Sequence, residues 1–591
     1  MRVHARIAAG VGPCSITRRG QLASSLCRCG IVRACRPFLV SQRAISSRPA
    51  SSSSDTKADL PEALLRPGAY PGKPDRVELI ETHISWVFLA GADVYKVKKP
   101  VDFGFLDFRS LAQRREACDA EIELNDRLAH GSYLGVVPIR RDGRGVCRVD
   151  GPGKVVDWAV HMARLADDRR ADRLLARGEL GTDDVAALAD RLAAFHAQAR
   201  CDAETARFGA VDAVRRNVEE NFAQTRRMVN RYIARADADE IERRQTAYLR
   251  AHADVFERRV AQGRIRDGHG DLRLEHVYLD GTGHGRRPAT GIDVIDCIEF
   301  SDRFRFADVC ADIAFLSMDL AWHGRVDLAE RLLARYAQSA NDFDLYEIVD
   351  FYESYRAYVR AKVSMLLADE ACADSSLRDR AAEEARRYLL LALAGSRPAL
   401  LAPVLVCVGG PIASGKSTVA ESIARELSAP VVATDPTRKH LHGVAPSASL
   451  DAPPWRDAYD PAITERVYAE VLRRASVVLS SGRPVVVDAS FRSRDMRHRA
   501  SDLATARGVP FFFVECRVAP EVARERLRRR EGTSAVSDAR LPLFDDFWAR
   551  FEAVDEVPDR QHVVLDTGHP MAESLALLRR YLPTWPRGLV A

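Results

Sequence analysis

The residues best suited to chemistry form a glycine-rich segment that directly follows an apolar run at 404–408. Gly410, Gly415, Lys416 and Ser417 match the pattern G-x-x-x-x-G-K-[ST]. Glycines let main-chain N–H groups approach phosphate oxygens, lysine supplies a mobile cation, and a serine hydroxyl is a ligand for Mg²⁺. A helix beginning there would point its positive end at the anion. The pattern predicts a P-loop for ATP and Mg²⁺ formed by Gly410, Pro411, Ile412, Ala413, Ser414, Gly415, Lys416, Ser417 and Thr418.

Three polar residues downstream fit the same chemistry. Asp435 follows a short apolar segment and is a candidate acceptor for the proton of a substrate hydroxyl. Arg438 lies three residues later, where a guanidinium can bind an anionic substrate group through two parallel hydrogen bonds. Asp488 ends the run Val-Val-Val and resembles a Walker B aspartate, which holds Mg²⁺ directly or through water.

An arginine-rich stretch follows Cys516. Positions 526 and 530 share a helical face, so Arg526 and Arg530 are candidates for a lid that closes over the phosphates. A solvated basic helix face is the alternative for most of these arginines.

A second group of polar residues lies in the N-terminal half. His269-Gly270-Asp271 follows a helical region, and Asp296 comes 25 residues later at the end of an apolar segment. In phosphoryl transfer one such acid accepts the hydroxyl proton while the other holds Mg²⁺. The alternative is a turn in which Asp271 caps main-chain N–H groups.

Hydrophobic periodicity indicates how these residues are positioned. In the C-terminal half, short apolar strands alternate with amphipathic helices, which predicts βαβ units and a doubly wound parallel sheet. The predicted strands are 404–408, 430–433, 483–488, 509–516 and 562–566. In the N-terminal half, two strands flank a tight turn at 90–93, another strand covers 155–162, and charged, leucine-rich helices follow from 183 to about 262 and from 308 to about 393.

The N-terminal half resembles the aminoglycoside phosphotransferase family of kinase-like enzymes. The resemblance is carried by His269-Gly-Asp271-Leu, Ile295-Asp296 and Asp308…Asp312-Ile-Ala. The sequence from Val94 to Pro100 is similar to that of a bacterial group that fuses such a domain to a P-loop domain. The resemblance implies a two-lobed kinase fold with Asp271 as the catalytic base and Asp296 as a Mg²⁺ ligand.

The same resemblance implies a lysine that contacts the nucleotide phosphates and an acid that holds it. Lys96 and Lys98 lie on the same strand face, so the alternation of side chains along the strand does not distinguish them. Similarity to the family sequence favours Lys96. Glu121 is preferred over Glu116 as its partner.

Two features depart from the family pattern. His276 stands where the family usually has an asparagine five residues after the base, and 82–91 contains no glycine-rich loop. Imidazole can hydrogen-bond the base or bind metal when neutral, so His276 is carried as a candidate metal ligand.

The C-terminal half resembles small P-loop kinases of the gluconate-kinase, polynucleotide-kinase and zeta-toxin kinds, a group that includes AAA-type ATP-binding domains. The P-loop, Asp435…Arg438, Asp488 and the arginine stretch with Ser537-Asp-Ala carry this resemblance.

Composition sets the remaining limits. Residues 1–54 hold nine arginines and no Lys, Asp or Glu, so this segment carries a charge of +9. Because the net charge of the whole chain is +5, the rest of the chain carries −4. That balance disfavours a nucleic-acid partner. Twelve cysteines show no paired C-x-x-C spacing, and no apolar run approaches the ~18 residues of a membrane span.

The Arg- and Ser-rich, acid-free composition of residues 1–54 is typical of an organellar transit peptide. The alternative is a disordered bacterial extension, or upstream sequence included by a wrongly chosen start. Because the resemblance is bacterial, we favour this alternative and expect a cytoplasmic protein; a transit peptide would instead place it in an organelle matrix.

The predicted fold class is α/β and α+β, with a disordered extension at 1–60, a kinase-like domain at 61–395 and a P-loop domain at 400–591. Within the kinase-like domain, the small lobe covers about 75–160 and the helical lobe about 161–395. The leading interpretation is an ATP-dependent phosphotransferase acting on a small-molecule or nucleoside hydroxyl, with two nucleotide-binding domains. The alternatives are a regulatory ATP-binding protein with a degenerate kinase-like sensor, and a polynucleotide 5′-hydroxyl kinase. The oligomeric state and the acceptor stay open.

Overall fold

The computed structural model describes residues 60–82, 84–102, 106–129, 131–279, 291–370, 375–395, 399, 401–444, 460–530 and 544–582, without the side chains of residues 370 and 530. The expected N-terminal extension as far as residue 59, residues 280–290 and 396–398, and Ser537 lie outside the described residues.

An antiparallel sheet forms the first lobe, with strand order β1-β2-β3-β6-β4-β5 among the described residues. Its strands are β1 Val77–Glu81, β2 Ser85–Ala90, β3 Asp93–Lys98, β4 Tyr133–Arg141, β5 Cys147–Val149 and β6 Lys154–Ala163. Ala90 pairs with Asp93, so β2 and β3 form the hairpin predicted around the turn at 90–93. A short helix, α1 (Leu60–Leu64), precedes the sheet, and α2 (Leu111–Asp126) packs on β6 and β4.

Helix α2 begins at a capping box. The Ser110 hydroxyl accepts a hydrogen bond from the Gln113 N–H, and the Gln113 side chain accepts one from the Ser110 N–H. From this start the helix buries Cys118, Glu121 and Asn125 against the sheet. A glutamate is therefore carried into the interior of the lobe, where it needs cationic partners.

Helices dominate the second lobe, as the periodicity predicts. They are α3 Ala171–Ala176, α4 Thr182–Gln198, α5 Ala203–Ala206, α6 Val211–Thr225, α7 Arg235–Ala251, α8 Ala253–Ala261, α9 Asp302–Arg305, α10 Val309–Trp322, α11 Val326–Ser339, α12 Val349–Glu370 and α13 Ser375–Ala394. Two short antiparallel pairs complete the lobe: β7 (Ile265–Asp267) with β10 (Phe306–Asp308), and β8 (Val277–Leu279) with β9 (Ile292–Val294). The apolar segment before Asp296 is thus a strand only as far as Val294.

The C-terminal half is a parallel sheet with strand order β12-β13-β11-β14-β15 among the described residues. All of its pairings are parallel, which confirms the predicted doubly wound sheet. The strands are β11 Leu405–Gly409, β12 Val431–Ala433, β13 Val485–Asp488, β14 Phe511–Arg517 and β15 His562–Asp566. The helices are α14 Lys416–Leu427, α15 Thr434–Leu441, α16 Pro461–Ser480, α17 Arg494–Arg507, α18 Pro520–Arg530, α19 Phe544–Ala549 and α20 Met571–Leu578.

A buried ion-pair network joins the two halves. The Arg483 guanidinium, 1 % exposed, donates to Glu330 at 3.0 Å and to Asp350 at 2.9 Å. Burial would lower the pKa of Arg483, but the two carboxylates raise it well above its usual value, so the charge is retained. Helix α16 also packs on the 3-10 helix Phe343–Glu347 of the N-terminal half. This contact brings the end of α11 close to the carboxyl ends of the parallel strands, where the P-loop lies.

Across the part of the chain that the structure describes, every helix is too short or too polar to span a bilayer.

Candidate nucleotide-binding sites

The P-loop connects the end of β11 to the first turn of α14. Gly410 has φ 143°, and a Cβ placed on it would lie 2.5 Å from the Cys516 carbonyl oxygen. Gly415 has φ 86° and caps α14, so both motif glycines occupy conformations that side chains disfavour. The loop backbone therefore takes the compact path at the helix N-terminus that binds phosphates.

Replacing Gly410 with alanine is expected to weaken ATP binding strongly, because the added methyl group would collide with backbone that cannot retreat. We expect a Kd higher by between about fivefold and somewhat more than a hundredfold, since strain of about 1–3 kcal/mol would displace the loop. Calorimetric titration with Mg·ATP measures the change. The matched control is Gly68→Ala, where an added Cβ meets nothing within 4 Å. Unchanged affinity in Gly410→Ala would contradict the predicted role of this backbone.

Lys416 and Ser417 lie beside the end of β13. The Lys416 ammonium donates to the Pro411 carbonyl oxygen at 2.8 Å, which holds it across the loop. The Ser417 hydroxyl lies near the Asp488 carboxylate. Burial raises the pKa of Asp488 to about 6, although Lys416 and the Ser417 hydroxyl oppose the shift. A buried carboxylate with a raised pKa is one that a cation would stabilise.

The donor set fits Mg²⁺. A hydroxyl and a carboxylate near each other beside a phosphate-binding loop are the hard oxygen ligands that this ion takes in such sites. Ser417 and Asp488 are the residues that would hold it.

A cavity of about 560 Å³ opens in front of the P-loop. Asp435 and Arg438 of α15 lie on its wall, and the Arg438 guanidinium donates to the Thr464 hydroxyl at 3.4 Å. Arg492 lies on the same wall. Burial lowers the pKa of Arg492, and the neighbouring Arg550 and Arg438 lower it further. The structure thus brings Asp435, Arg438 and Asp488 together at one cavity, with Arg492 as a further cation.

The Arg526 side chain of α18 lies against the P-loop. The Arg526 guanidinium donates to the carbonyl oxygens of Ala413, at 3.3 Å, and Thr567, at 2.6 Å. Arg526 therefore links the P-loop backbone to Thr567, the residue that follows β15, through main-chain oxygens. The side chain of Arg530 lies outside the described residues.

The second site lies between the two lobes of the N-terminal half. The Lys96 ammonium is 2.8 Å from a Glu121 oxygen and 2.7 Å from an Asp296 oxygen. Burial would lower the pKa of Lys96, but Asp296 and Glu121 raise it well above its usual value. Lys98, fully buried, contacts the other Glu121 oxygen at 2.6 Å and also Glu299. Lys96 is thus the lysine that reaches Asp296.

Glu116 faces solvent on α2, whereas Glu121 is buried between the two lysines. Asp296 itself has φ 65°, an unusual conformation for a non-glycine residue and one that is common at functional sites. The next residue, Cys297, is held by a hydrogen bond from its N–H to the Asn125 side-chain oxygen of α2 at 2.9 Å.

The His269-Gly270-Asp271 turn is held by a buried acid. Asp312 of α10 accepts hydrogen bonds from the His269 N–H at 2.7 Å and the Gly270 N–H at 2.9 Å. Burial would raise the pKa of Asp271, but Arg273, His276 and Arg360 lower it to about 2. Asp271 is therefore ionised, and the Arg273 guanidinium is 3.3 Å from it.

His276 is placed between the two acids. Its Nδ1 donates to the Asp271 carbonyl oxygen at 2.8 Å, and its Nε2 is 3.5 Å from an Asp296 oxygen. The imidazole thus lies within reach of both Asp271 and Asp296. Within the described residues, no group of three or more His, Cys, Asp or Glu side chains forms a metal site by itself.

Sequence reasoning did not assign roles to Arg273, Arg492 or Asp312. Arg273 and Arg492 carried a local signal, because each lies within four residues of a predicted site residue. Several residues between 335 and 343 in the N-terminal half also line the P-loop cavity. The sequence pattern gave no indication of this role.

Comparisons with known proteins give one family model and two mycobacterial relatives. A family model described as AAA domain matches residues 405–554. The protein Rv2004c of Mycobacterium tuberculosis is 33% identical over 466 residues, covering 79% of this chain and 88% of that protein. "Uncharacterized protein Mb2027c" of Mycobacterium bovis matches with the same figures.

Two solved structures each correspond to one part of the chain. A gluconokinase from Sinorhizobium meliloti is 25% identical, covers 30% of this chain and 93% of that one, and has a TM-score of 0.22. A choline/ethanolamine kinase family protein from Mesorhizobium loti is 13% identical, covers 57% of this chain and 98% of that one, and has a TM-score of 0.32.

Fold and sites define a two-part protein, in which a two-lobed kinase-like domain is fused to a P-loop nucleotide-binding domain of the AAA class. The chain belongs to the family of the mycobacterial proteins Rv2004c and Mb2027c.

Proposed function

We propose that the P-loop half transfers the γ-phosphoryl group of ATP to a hydroxyl of a small, anionic acceptor. The observation that carries the proposal is the meeting of the P-loop, Asp488, Asp435 and Arg438 at one cavity. A mobile ammonium, a proton acceptor and a guanidinium around the same space are what in-line phosphoryl transfer to a hydroxyl requires.

Each side chain has a defined task in this reaction. The P-loop N–H groups and Lys416 bind the β- and γ-phosphates. When bound, Mg²⁺ supplies charge neutralisation to the phosphates, held by Ser417 and Asp488. Asp435 accepts the proton of the acceptor hydroxyl while the oxygen of that hydroxyl bonds to the γ-phosphorus. The bond from that phosphorus to the β,γ-bridging oxygen breaks, and the products are ADP and the phosphorylated acceptor.

The N-terminal half is proposed to bind a second ATP. Lys96, held by Glu121, would bind phosphate, Asp296 and His276 would hold Mg²⁺, and Asp271 would act as the base. The contacts of Lys96 with both carboxylates, and the ionised Asp271 beside them, support an intact kinase site more than a degenerate sensor.

A labelling assay tests both halves with the full chain. Protein is incubated with γ-labelled Mg·ATP and, separately, gluconate, a nucleoside 5′-monophosphate, glucose, an aminoglycoside and a 5′-hydroxyl oligonucleotide. We expect a labelled small anionic product that is lost, by at least about a hundredfold, in Lys416→Ala and retained in Asp271→Asn. Lys154→Ala and Asp379→Asn, both at exposed positions, are the matched controls.

The pattern of loss assigns the activity. A product abolished by Asp271→Asn but not by Lys416→Ala would move the reaction to the N-terminal half. A labelled oligonucleotide lost in Lys416→Ala would replace the proposal with polynucleotide kinase activity, and labelled phosphate without any labelled acceptor would replace it with regulatory ATP hydrolysis.

A further inference from the structure

The cavity in front of the P-loop is closed on one side by the N-terminal half. The last turn of α11 and the segment after it contribute five side chains to its lining: Arg335, Gln338, Ser339, Asn341 and Phe343. We refer to these five residues as the α11 wall. The P-loop domain's own residues line the rest of the cavity. A molecule that fills this space would therefore touch both halves of the chain.

The α11 wall is firmly anchored in the N-terminal half. The Arg335 guanidinium donates two hydrogen bonds to Asp190 of α4, at 2.7 and 2.8 Å, and the Ser339 hydroxyl contacts the same carboxylate. One residue after Arg335, the buried Tyr336 hydroxyl is 2.8 Å from His196 Nδ1. Bidentate and buried contacts of this kind fix a helix end, so the wall is a preorganised surface.

The same wall is tied to the P-loop half. The Gln338 side-chain amide donates to Glu421 at 3.0 Å, and Glu421 lies one helical turn after Ser417 on α14. Arg474 of α16 donates to the Asn341 side-chain oxygen at 2.7 Å and to the Thr437 hydroxyl at 3.1 Å. Its guanidinium also lies 5.4 Å from the centre of the Phe343 ring. These contacts hold the wall opposite the phosphate-binding loop.

The charges around the cavity indicate what it accepts. Four guanidinium groups line it, those of Arg335, Arg438, Arg474 and Arg492. Asp190 pairs with Arg335 and Glu470 with Arg474, at 2.7 Å in each case. Arg438 and Arg492 line the same cavity, and burial, together with Arg550 and Arg438, lowers the pKa of Arg492. An anionic group bound there would offset this positive charge, because guanidinium groups bind carboxylate, phosphate and sulfate well.

We propose that the acceptor of the P-loop site binds between the two halves, with its reacting hydroxyl towards Asp435, its anionic group towards Arg438 and Arg492, and its far end against the α11 wall. This inference rests on the proposed phosphotransfer. It makes Ser339, exposed at the end of α11, a specificity-determining position in the other half of the chain.

Filling the cavity from the far wall tests the inference. In Ser339→Trp, an indole at the cavity replaces a hydroxymethyl group without changing any P-loop residue. With the anionic compound labelled in the assay above, we expect the acceptor KM to rise at least about tenfold while Kd for Mg·ATP stays within about twofold. Ser376→Trp, at an exposed serine of the same half on α13, is the matched control and should match wild type.

A second variant guards against a folding defect. Ser339→Cys is folded first and then alkylated with a bulky maleimide; wild-type protein treated identically accounts for the exposed Cys201. The same rise in acceptor KM after alkylation, absent before it, supports the composite site. Unchanged acceptor KM in both variants would overturn the composite site alone, and labelling of glucose but neither anionic compound would overturn its anion specificity. Failure of every compound to give a Lys416-dependent product would instead overturn the proposed phosphotransfer, and the inference with it.

Discussion

Replacing Lys416 with alanine is expected to remove most Mg·ATP binding by the P-loop half. The ammonium lies across the loop, 2.8 Å from the Pro411 carbonyl oxygen, where a β/γ-phosphate would compete for it. Hydrogen bonds to charged groups contribute about 1.5–3 kcal/mol, which corresponds to between about tenfold and somewhat more than a hundredfold in Kd. We expect the upper end, because the site also loses its mobile positive charge.

Calorimetry on the full chain measures this effect. Wild type should bind two equivalents of Mg·ATP, Lys416→Ala one, and the double variant Lys96→Ala/Lys416→Ala none that is detectable. Lys154→Ala changes an exposed lysine and should behave as wild type. Two equivalents bound with unchanged affinity by Lys416→Ala would refute the predicted role of Lys416 in phosphate binding.

Replacing Arg483 with alanine is expected to destabilise the contact between the halves by about 3–5 kcal/mol. The substitution removes the Arg483 guanidinium from the Glu330 carboxylate, which is 3 % exposed, and losing the charged partner of a buried carboxylate is costly. Urea denaturation monitored by fluorescence, with the free energy of unfolding extrapolated to water, measures the loss. The acceptor KM of the labelling assay should rise in the same variant, because the α11 wall depends on this contact.

Arg473→Ala is the matched control on the same side of the interface. Arg473 is 46 % exposed and pairs with Asp344 at 2.9 Å, so its loss should cost below about 1 kcal/mol. Equal effects of the two substitutions would show that the halves are not held together by the buried network.

The sequence was most informative where chemistry is local. The P-loop, the strand before it and the helix after it are contiguous, so the spacing of Gly410, Gly415 and Lys416 was enough to predict their arrangement. The strand and helix pattern of the parallel sheet followed in the same way, since βαβ units repeat a short-range hydrophobic period.

Where residues far apart in the chain meet, pattern alone left alternatives open. Lys96 and Lys98 share a strand face, and Asp296, which is 200 residues from Lys96, is what distinguishes them. Glu121 and Glu116 were separated by which face of α2 is buried on the sheet. Arg526 was predicted to close over phosphate, and its position depends on where β15 ends.

The sequence by itself thus determined that this chain carries a phosphate-binding loop on a parallel sheet and a kinase-like half before it. Only the tertiary structure decided that the N-terminal half walls the P-loop cavity through α11. The physical reason is that hydrophobic period and motif spacing encode contacts along a few turns of chain. Which surfaces pack together depends instead on burial and charge pairing between segments such as Glu330 and Arg483, more than a hundred residues apart.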